Sequence, residues 1–312
     1  MGNTQTGNEG LTRIGKRIII LLLNSVSSVD FFEVTNWFFL WNLSTYTLLF
    51  LFGGALASFY TTLADRIIYY CYEKGRKEFH GFKRWQVIFT KPSHCPHCKT
   101  PITKLYLVPI LGWFLTKGKC DHCQINVPKL YPLSEFLFGI IAVVVFSISD
   151  SLIGTICLLF LFGHLLISLM TDAKKLSLDY ENLPFLLGFG FLSNSLLFGE
   201  SIGLEHLYVY LGFFVFYLLI YLVFRGGTGL GDVLFSPVFA AIAGNPFWMV
   251  YLNTSYLLAV TFSLVLRKKG EPLKGTKVPM GLYFSIGLFF TFLCKLIMHN
   301  YEWEGFSDLW NQ

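Results

Sequence analysis

The sequence contains few charged residues. Asp, Glu, Lys and Arg make up 14% of the 312 residues, whereas hydrophobic residues make up 54% and the mean hydropathy is +0.56. Soluble domains carry roughly 25% charged residues. The scarcity therefore excludes a soluble globular protein, and the composition predicts an all-α polytopic membrane protein whose main solvent is lipid.

The N-terminal region lacks a long hydrophobic run. Arg13, Lys16 and Arg17 precede the apolar segment 18–23, and polar residues follow it at once. A membrane span needs about 20 apolar residues. Neither a span nor a cleavable signal peptide is evident there. Residues 1–45 are interpreted as an N-terminal extension, with an amphipathic interfacial helix as one option.

About eight transmembrane helices are predicted from the apolar segments of the chain. Lys and Arg collect in the loops on one side of this arrangement, and Asp and Glu collect on the other, which predicts both termini outside the cytoplasm. The three basic residues before position 18 do not fit this topology. The predicted spans are 46–70, 133–149, 153–171, 183–198, 207–224, 232–244 (extending to either side), 247–266 and 280–298.

A polar insertion follows the first span. Twelve Lys and Arg residues lie between Arg66 and Lys129, against three acidic residues, and this excess predicts the cytoplasmic side, facing anionic lipid. The predicted organisation is a first span, a cytoplasmic zinc-binding segment, a seven-span core and a tail. Their ranges are 46–70, 71–131, 132–300 and 301–312.

Cysteine is also scarce, and four of the seven cysteines form two CxxC pairs. Cys95 and Cys98 are separated from Cys120 and Cys123 by 21 residues, a spacing that suits one tetrahedral Zn²⁺ held by four thiolates in a zinc-ribbon-like insertion. Two disulfides are less favoured in a reducing cytosol, and a redox centre needs a single pair. Because four cysteines complete the shell, the metal is predicted to be structural.

The other candidate ligands near these pairs are interpreted differently. The adjacent histidines are expected to be solvated loop residues, since four thiolates already fill the shell. The remaining cysteines lie in or beside apolar runs and are expected to be packing residues. These residues are His94, His97, His122, Cys71, Cys157 and Cys294.

Two carboxylates mark the same predicted membrane face. Asp232 follows the glycine-rich loop that contains Gly229 and Gly231, and Asp172 lies 60 residues earlier, which leaves room for two spans between them. Two carboxylates at one depth can share a proton and activate water. Alternatives remain: Asp232 as a helix cap, Asp172 paired with a following lysine, or ion binding in a transporter. Asp179 competes with Asp172 for the same role.

The order and spacing of these motifs resemble the type IV prepilin peptidases, which are membrane aspartic proteases of the GxGD class. The resemblance covers about residues 53–281 and identifies Asp172 and Asp232 with the two catalytic aspartates. It rests on GGALASFYTTLADR, CPHC and CDHC, YPLSE, the Asp172 segment, GLGD and VPMG.

The chain departs from the usual pattern of that family at three places. Thr61 replaces the usual Asn, and Leu178-Asp179 stands where Leu-Pro or Ile-Pro follows the first aspartate. The segment Pro279-Met280-Gly281-Leu282 replaces Pro-Phe-Gly-Pro. The second departure keeps Asp179 in competition with Asp172.

The resemblance implies a specific activity. Such enzymes remove the basic leader of prepilins and pseudopilins at the cytoplasmic membrane face of bacteria, and many then N-methylate the new terminus with S-adenosylmethionine. No glycine fingerprint for that cofactor occurs in the sequence, and no nucleic-acid partner is expected. Two alternatives from other classes are a zinc-ribbon membrane transporter and a non-catalytic assembly scaffold. The substrate set and the oligomeric state are left open.

Overall fold

A computed structural model describes residues 28–149, 151–224, 229–265 and 278–300 of the chain. Residues 1–27 of the predicted N-terminal extension 1–45, which include Arg13, Lys16 and Arg17, fall outside these ranges, as does the predicted tail 301–312. The chain divides into two compact units, 1–49 and 50–312. The boundary between them falls within the first helix.

Ten α-helices and several short 3₁₀ or π turns account for the regular structure of the described residues. β structure there is limited to two isolated bridges, at His94–Pro101 and Lys119–Asn126. The helices are α1 Ser28–Ile67, α2 Phe82–Thr90, α3 Leu111–Leu115, α4 Leu130–Ser149, α5 Leu152–Lys175, α6 Leu183–Phe198, α7 Leu204–Val223, α8 Leu230–Ala243, α9 Trp248–Val265 and α10 Met280–Asn300. A π turn, Ile68–Tyr72, follows α1, and 3₁₀ turns cover Lys74–Lys77, Lys104–Leu107 and Tyr180–Asn182.

Each of the eight predicted spans corresponds to a helix, which confirms the all-helical membrane architecture. Six of these helices are long and apolar enough to cross a bilayer, and they begin with the segment Leu40–Tyr72. The other two are α6, with 16 residues, and α8, with 14. A 14-residue helix is about 21 Å long, which is shorter than the roughly 30 Å hydrocarbon core.

The short helix α8 is enclosed by protein. It packs against α6, α7, α9 and α10, and ten of its fourteen residues are buried. Helix α5 is also largely buried, and α10 packs against both α5 and α8. The two candidate aspartates therefore lie at the ends of the two most enclosed helices, and α10 is their common neighbour.

A buried lysine joins three parts of the second unit at the far end of α10. Lys295 is only 2% exposed, and its Nζ donates to Glu200 Oε2 at 2.7 Å, Asn194 Oδ1 at 3.0 Å and the Ala243 carbonyl at 3.2 Å. The ammonium also lies over three phenylalanine rings, 5.0, 5.2 and 5.9 Å from their centroids. Because a buried charge is costly unless it is paired, these contacts fix the ends of α6, α8 and α10 together.

Candidate active site

Asp172 lies in the last turn of α5 and is 5% exposed. Its Oδ2 accepts a hydrogen bond from the backbone N–H of Leu282, at 3.0 Å, in the first turn of α10. The first N–H groups of a helix have no partner within that helix, so the carboxylate satisfies one of them. The start of α10 is thereby fixed to the end of α5.

The two lysines that follow Asp172 pair with other carboxylates. Lys174 Nζ lies 2.7 Å from Asp65 Oδ1, and Lys175 Nζ lies 2.6 Å from Glu73 Oε1. The alternative that made Asp172 the ion-pair partner of a neighbouring lysine is therefore wrong. The lysines are directed toward the end of the first span, and Asp172 is directed toward α10.

Asp232 lies in the first turn of α8. Its Oδ2 accepts a hydrogen bond from the N–H of Gly229, at 3.1 Å, so it does have the capping contact expected of a helix-start residue. This contact occupies one carboxylate oxygen. Gly231, the residue before Asp232, and Gly281, the residue before the Leu282 donor of Asp172, both lie beside the buried Leu178 side chain. The surroundings of the two aspartates thus share one side chain, while Gly226 and Gly227 lie outside the described ranges.

Asp179 has a local role in the loop after α5. Its Oδ1 accepts from the N–H of Glu181 at 3.2 Å, which caps the turn Tyr180–Asn182. Burial raises the pKa of this carboxyl above its ordinary value, and the Glu181 N–H opposes that rise. The capping bond therefore associates Asp179 with its own loop, whereas Asp172 binds the start of α10.

Leu178 fills the space between the starts of α8 and α10, a role that the motif search missed. It is 3% exposed. A Cβ built on Gly281 would lie 2.6 Å from Leu178 Cδ2, whereas one built on Gly231 would lie 3.6 Å from Leu178 Cδ1. A side chain at position 281 would therefore overlap Leu178 unless one of the two shifts. The sequence signal for this glycine is the VPMG motif.

The space beside both glycines of the GLGD loop is large enough for a methyl group. A Cβ on Gly229 would lie 3.6 Å from Asp232 Oδ2, and the 3.6 Å contact at Gly231 is also an ordinary van der Waals distance. Helix packing therefore does not require glycine at either position. Close approach of a substrate backbone is the remaining reason for glycine there.

A buried polar network anchors the loop that contains Leu178. Asn182 Nδ2 donates to the His164 carbonyl at 2.8 Å and lies 2.9 Å from Ser168 Oγ, while Asn182 Oδ1 lies 2.6 Å from His164 Nδ1. His164 and Ser168 precede Asp172 at intervals of four residues, and therefore lie on the same face of α5. This network holds the loop against the helix that carries Asp172.

The four cysteines of the CxxC pairs gather in the insertion. Their sulfur atoms all lie within 4.8 Å of one another. The Sγ–Sγ distance is 3.8 Å for Cys95 and Cys123, and 3.9 Å for Cys98 and Cys120. A tetrahedral zinc site with Zn–S bonds of about 2.3 Å has S–S edges of about 3.8 Å. The four thiols could therefore hold one metal ion of that size.

The two CxxC pairs have the same local geometry. In each, the first cysteine N–H donates to the carbonyl of the residue five positions later, at 3.0 Å for Cys95 and 2.9 Å for Cys120. The residue after each second cysteine, Lys99 or Gln124, has positive φ, 61° and 57° respectively. Within the described residues the ligand group contains none of the three neighbouring histidines. This agrees with their interpretation as loop residues.

Two family models match the two halves of the chain. The bacterial peptidase A24 N-terminal domain matches residues 51–148, which include the four cysteines. The type IV leader peptidase family matches residues 159–264, which include both aspartates. The chain belongs to the type IV leader peptidase family. This membership does not favour the transporter or scaffold alternatives.

Relatives from distant bacteria cover most of the chain. A prepilin leader peptidase/N-methyltransferase of Aeromonas salmonicida strain A449 is 27% identical over 257 residues, which is 77% of this chain and 88% of the relative. A protein of the same description from Bacillus subtilis strain 168 is 26% identical over 259 residues, covering 79% and 93%. One from Neisseria gonorrhoeae is 30% identical over 206 residues, covering 62% and 66%. No solved structure matches the chain.

Proposed function

We propose that this protein is a membrane aspartic endopeptidase that removes the leader of prepilins and pseudopilins, with Asp172 and Asp232 as its catalytic pair. One observation carries the assignment. Asp172 and Asp232 come from two different enclosed helices, and the buried Leu178 side chain lies beside both Gly231, which precedes Asp232, and Gly281, which precedes the Leu282 donor of Asp172. Asp179 is engaged in capping its own loop instead.

The hydrogen bonds of the two carboxylates orient them for the reaction. One oxygen of Asp172 accepts from the Leu282 N–H, and one oxygen of Asp232 accepts from the Gly229 N–H. The other oxygen of each carboxyl would hold the proton or the water molecule. Two close carboxylates resist joint ionisation. The ionised member takes a proton from the attacking water, while the protonated member donates a hydrogen bond to the scissile carbonyl.

Cleavage of a prepilin by three Asn variants tests this proposal. Asn keeps the shape of Asp but cannot take a proton from water, so Asp172→Asn and Asp232→Asn should each abolish leader removal. Asp179→Asn is the matched control and should keep substantial activity, since its amide oxygen can still accept from Glu181. The assay compares the three variants with wild type at equal membrane levels, using leader removal on a gel.

Each possible failure of this experiment has a distinct meaning. Activity that survives in Asp172→Asn but is lost in Asp179→Asn would assign the catalytic pair to Asp179 and Asp232. Activity that survives in Asp232→Asn would overturn the aspartic protease proposal itself. A wild-type protein that transports ions in liposomes but cleaves no prepilin would support a transporter instead.

The cysteine group supports a structural Zn²⁺. Four thiolates at tetrahedral spacing fill the coordination shell and leave no open position for water or substrate. The metal would stabilise the insertion between α1 and α4, and no step of the cleavage reaction passes through it. Cys95, Cys98, Cys120 and Cys123 would be its ligands.

N-methylation of the new terminus is proposed from the names of the relatives, which are described as N-methyltransferases. S-adenosylmethionine would supply the methyl group. An apolar cavity of about 230 Å³ between α4, α5 and α10 does not fit this charged cofactor, because it is lined by eight apolar side chains and Ser285. No residue is assigned to hold the cofactor.

The location follows from the helices and the charge distribution. The protein is a multi-pass membrane protein, and we place it in the bacterial cytoplasmic membrane with the basic insertion on the cytoplasmic side. The lipid bilayer is then a constant partner, and prepilins reach the aspartates at the cytoplasmic membrane face.

A further inference from the structure

The two ends of the cytoplasmic insertion meet at Asp65. This residue lies near the end of α1, just before the insertion begins, and Tyr131, the last residue of the insertion, lies in the first turn of α4. The Tyr131 hydroxyl donates to Asp65 Oδ2. This hydrogen bond therefore joins the two ends of the insertion that contains the four cysteines.

The other carboxylate oxygen of Asp65 contacts the helix that carries Asp172. Asp65 Oδ1 accepts from Lys174 Nζ at 2.7 Å, and Lys174 lies two residues after Asp172 in the same last turn of α5. Helix ends open more readily than helix centres. That turn is closed by the Leu176 N–H, which donates to the Asp172 carbonyl at 2.8 Å. Asp65 thus holds, from outside, the turn on which Asp172 is positioned.

The residue next to Asp65 contacts the insertion itself. Arg66 donates from one guanidinium nitrogen to the Ile88 carbonyl at 2.6 Å and from the other to Ser93 Oγ at 3.4 Å. Ser93 precedes the first CxxC pair. Its backbone carbonyl accepts a hydrogen bond at 2.9 Å from the N–H of Ile102, which follows the pair. Two consecutive residues of α1 therefore join the cysteine-containing segment on one side and the end of α5 on the other.

We propose that Asp65 is a positioning residue for the cleavage reaction and that it couples the base of the cytoplasmic insertion to the turn that carries Asp172. This inference rests on the proposed function. Asp65 has one negative charge and accepts from two donors through separate oxygens. An uncharged side chain cannot reproduce this, because Asn would direct its NH₂ group at one of the donors. Movement at the base of the insertion would then no longer be transmitted to Asp172.

A second ion pair on the same turn provides a control. Lys175 pairs with Glu73, as Lys174 pairs with Asp65. One bond connects the last turn of α5 to the end of the first span, and the other connects it to the residue after the π turn that follows that span. The hydrogen bonds of Tyr131 and Lys174 share one carboxylate, whereas Lys175 bonds to another. General stabilisation of the turn should involve both lysines. Coupling through Asp65 should involve Lys174 alone.

Double-mutant cycles on prepilin cleavage test the proposal. Tyr131→Phe and Lys174→Met are each expected to lower kcat by about fivefold to tenfold with little change in KM. Together they should lower it no further than the larger single effect, because both act through Asp65. Tyr131→Phe combined with Lys175→Met should instead give the product of the two single effects. In an Asp65→Ala background, neither Tyr131→Phe nor Lys174→Met should lower kcat further.

Three results would overturn the proposal. The first is a Tyr131→Phe/Lys174→Met double variant whose loss of kcat equals the product of the two single losses. The second is equal non-additivity between Tyr131→Phe and Lys175→Met. The third is non-additivity between Tyr131→Phe and Lys174→Met that persists in the Asp65→Ala background. Asp65→Asn serves as the background if Asp65→Ala does not reach the membrane. Wild-type cleavage is measured first. If wild type cleaves no prepilin, the proposed function fails separately, and the same cycles are measured on thermal unfolding midpoints of the purified proteins.

Discussion

Gly281 offers a sharp test of how the start of α10 positions Asp172. Its neighbour Leu282 donates the N–H that binds the Asp172 carboxylate at 3.0 Å. A Cβ at position 281 would lie 2.6, 2.8 and 2.9 Å from three atoms of Leu178, a side chain that is itself buried. Gly281→Ala therefore adds one methyl group at the point where the loop after α5 contacts α10.

The size of the effect follows from these distances. Restoring an ordinary contact of 3.4 Å requires a shift of about 0.8 Å between Leu178 and α10. Overpacking of this kind costs about 1 to 3 kcal/mol of folding stability. A misplacement near 1 Å can cost about 100-fold in rate. Alanine is the better helix former, so helix propensity would oppose the loss rather than cause it.

The assay measures prepilin cleavage and thermal unfolding for Gly281→Ala, with Gly231→Ala as the matched control for thermal unfolding. The control places its Cβ 3.6 Å from the same leucine, so no overlap is expected there. Leu178→Ala removes the three overlapping atoms, and Gly281→Ala should have a much smaller effect in that background. Wild-type cleavage by Gly281→Ala, or an equal loss with and without Leu178, would refute the reasoning.

Two further predictions concern the metal group and the buried lysine. Purified wild-type protein should contain about one equivalent of zinc. Cys95→Ser should lower the metal content and destabilise the insertion. A zinc content below about a quarter of an equivalent in folded wild-type protein would exclude the site. Lys295→Met leaves Glu200 without its cation and the Ala243 carbonyl without a donor, and should lower the free energy of unfolding by about 3 kcal/mol. An unchanged thermal midpoint for Lys295→Met would contradict that role.

The helices were predictable because their signals are local. Long apolar runs predict helices, and all eight predicted segments are helical. The segment 232–244 was expected to extend to either side, whereas α8 has 14 residues. Its enclosure by four other helices was not predictable, since hydropathy alone does not distinguish lipid from protein neighbours.

The contacts that organise the site could not be predicted, because they join residues far apart in the chain. Asp65 and Lys174 are 109 residues apart, and Leu282 and Asp172 are 110 apart. Sequence spacing says nothing about such pairs. An Asp beside an Arg at the end of a span reads as an ordinary helix boundary until Tyr131 and Lys174 are found at its two oxygens.

The departures from the family pattern illustrate the same limit and suggest how it is resolved. Thr61 donates to the carbonyls of Ala57 and Ser58 in its own helix, so that substitution is satisfied locally. The contact between Leu178 and Gly281 joins two positions at which the chain keeps the family pattern, the leucine after the first aspartate and the glycine of the C-terminal motif. At the departure beside that glycine, Leu282 has the backbone N–H that a proline lacks, and this N–H donates to Asp172. The donor that orients Asp172 is therefore a feature of this chain rather than of the usual motif, and only the fold reveals it, because the two residues are 110 positions apart.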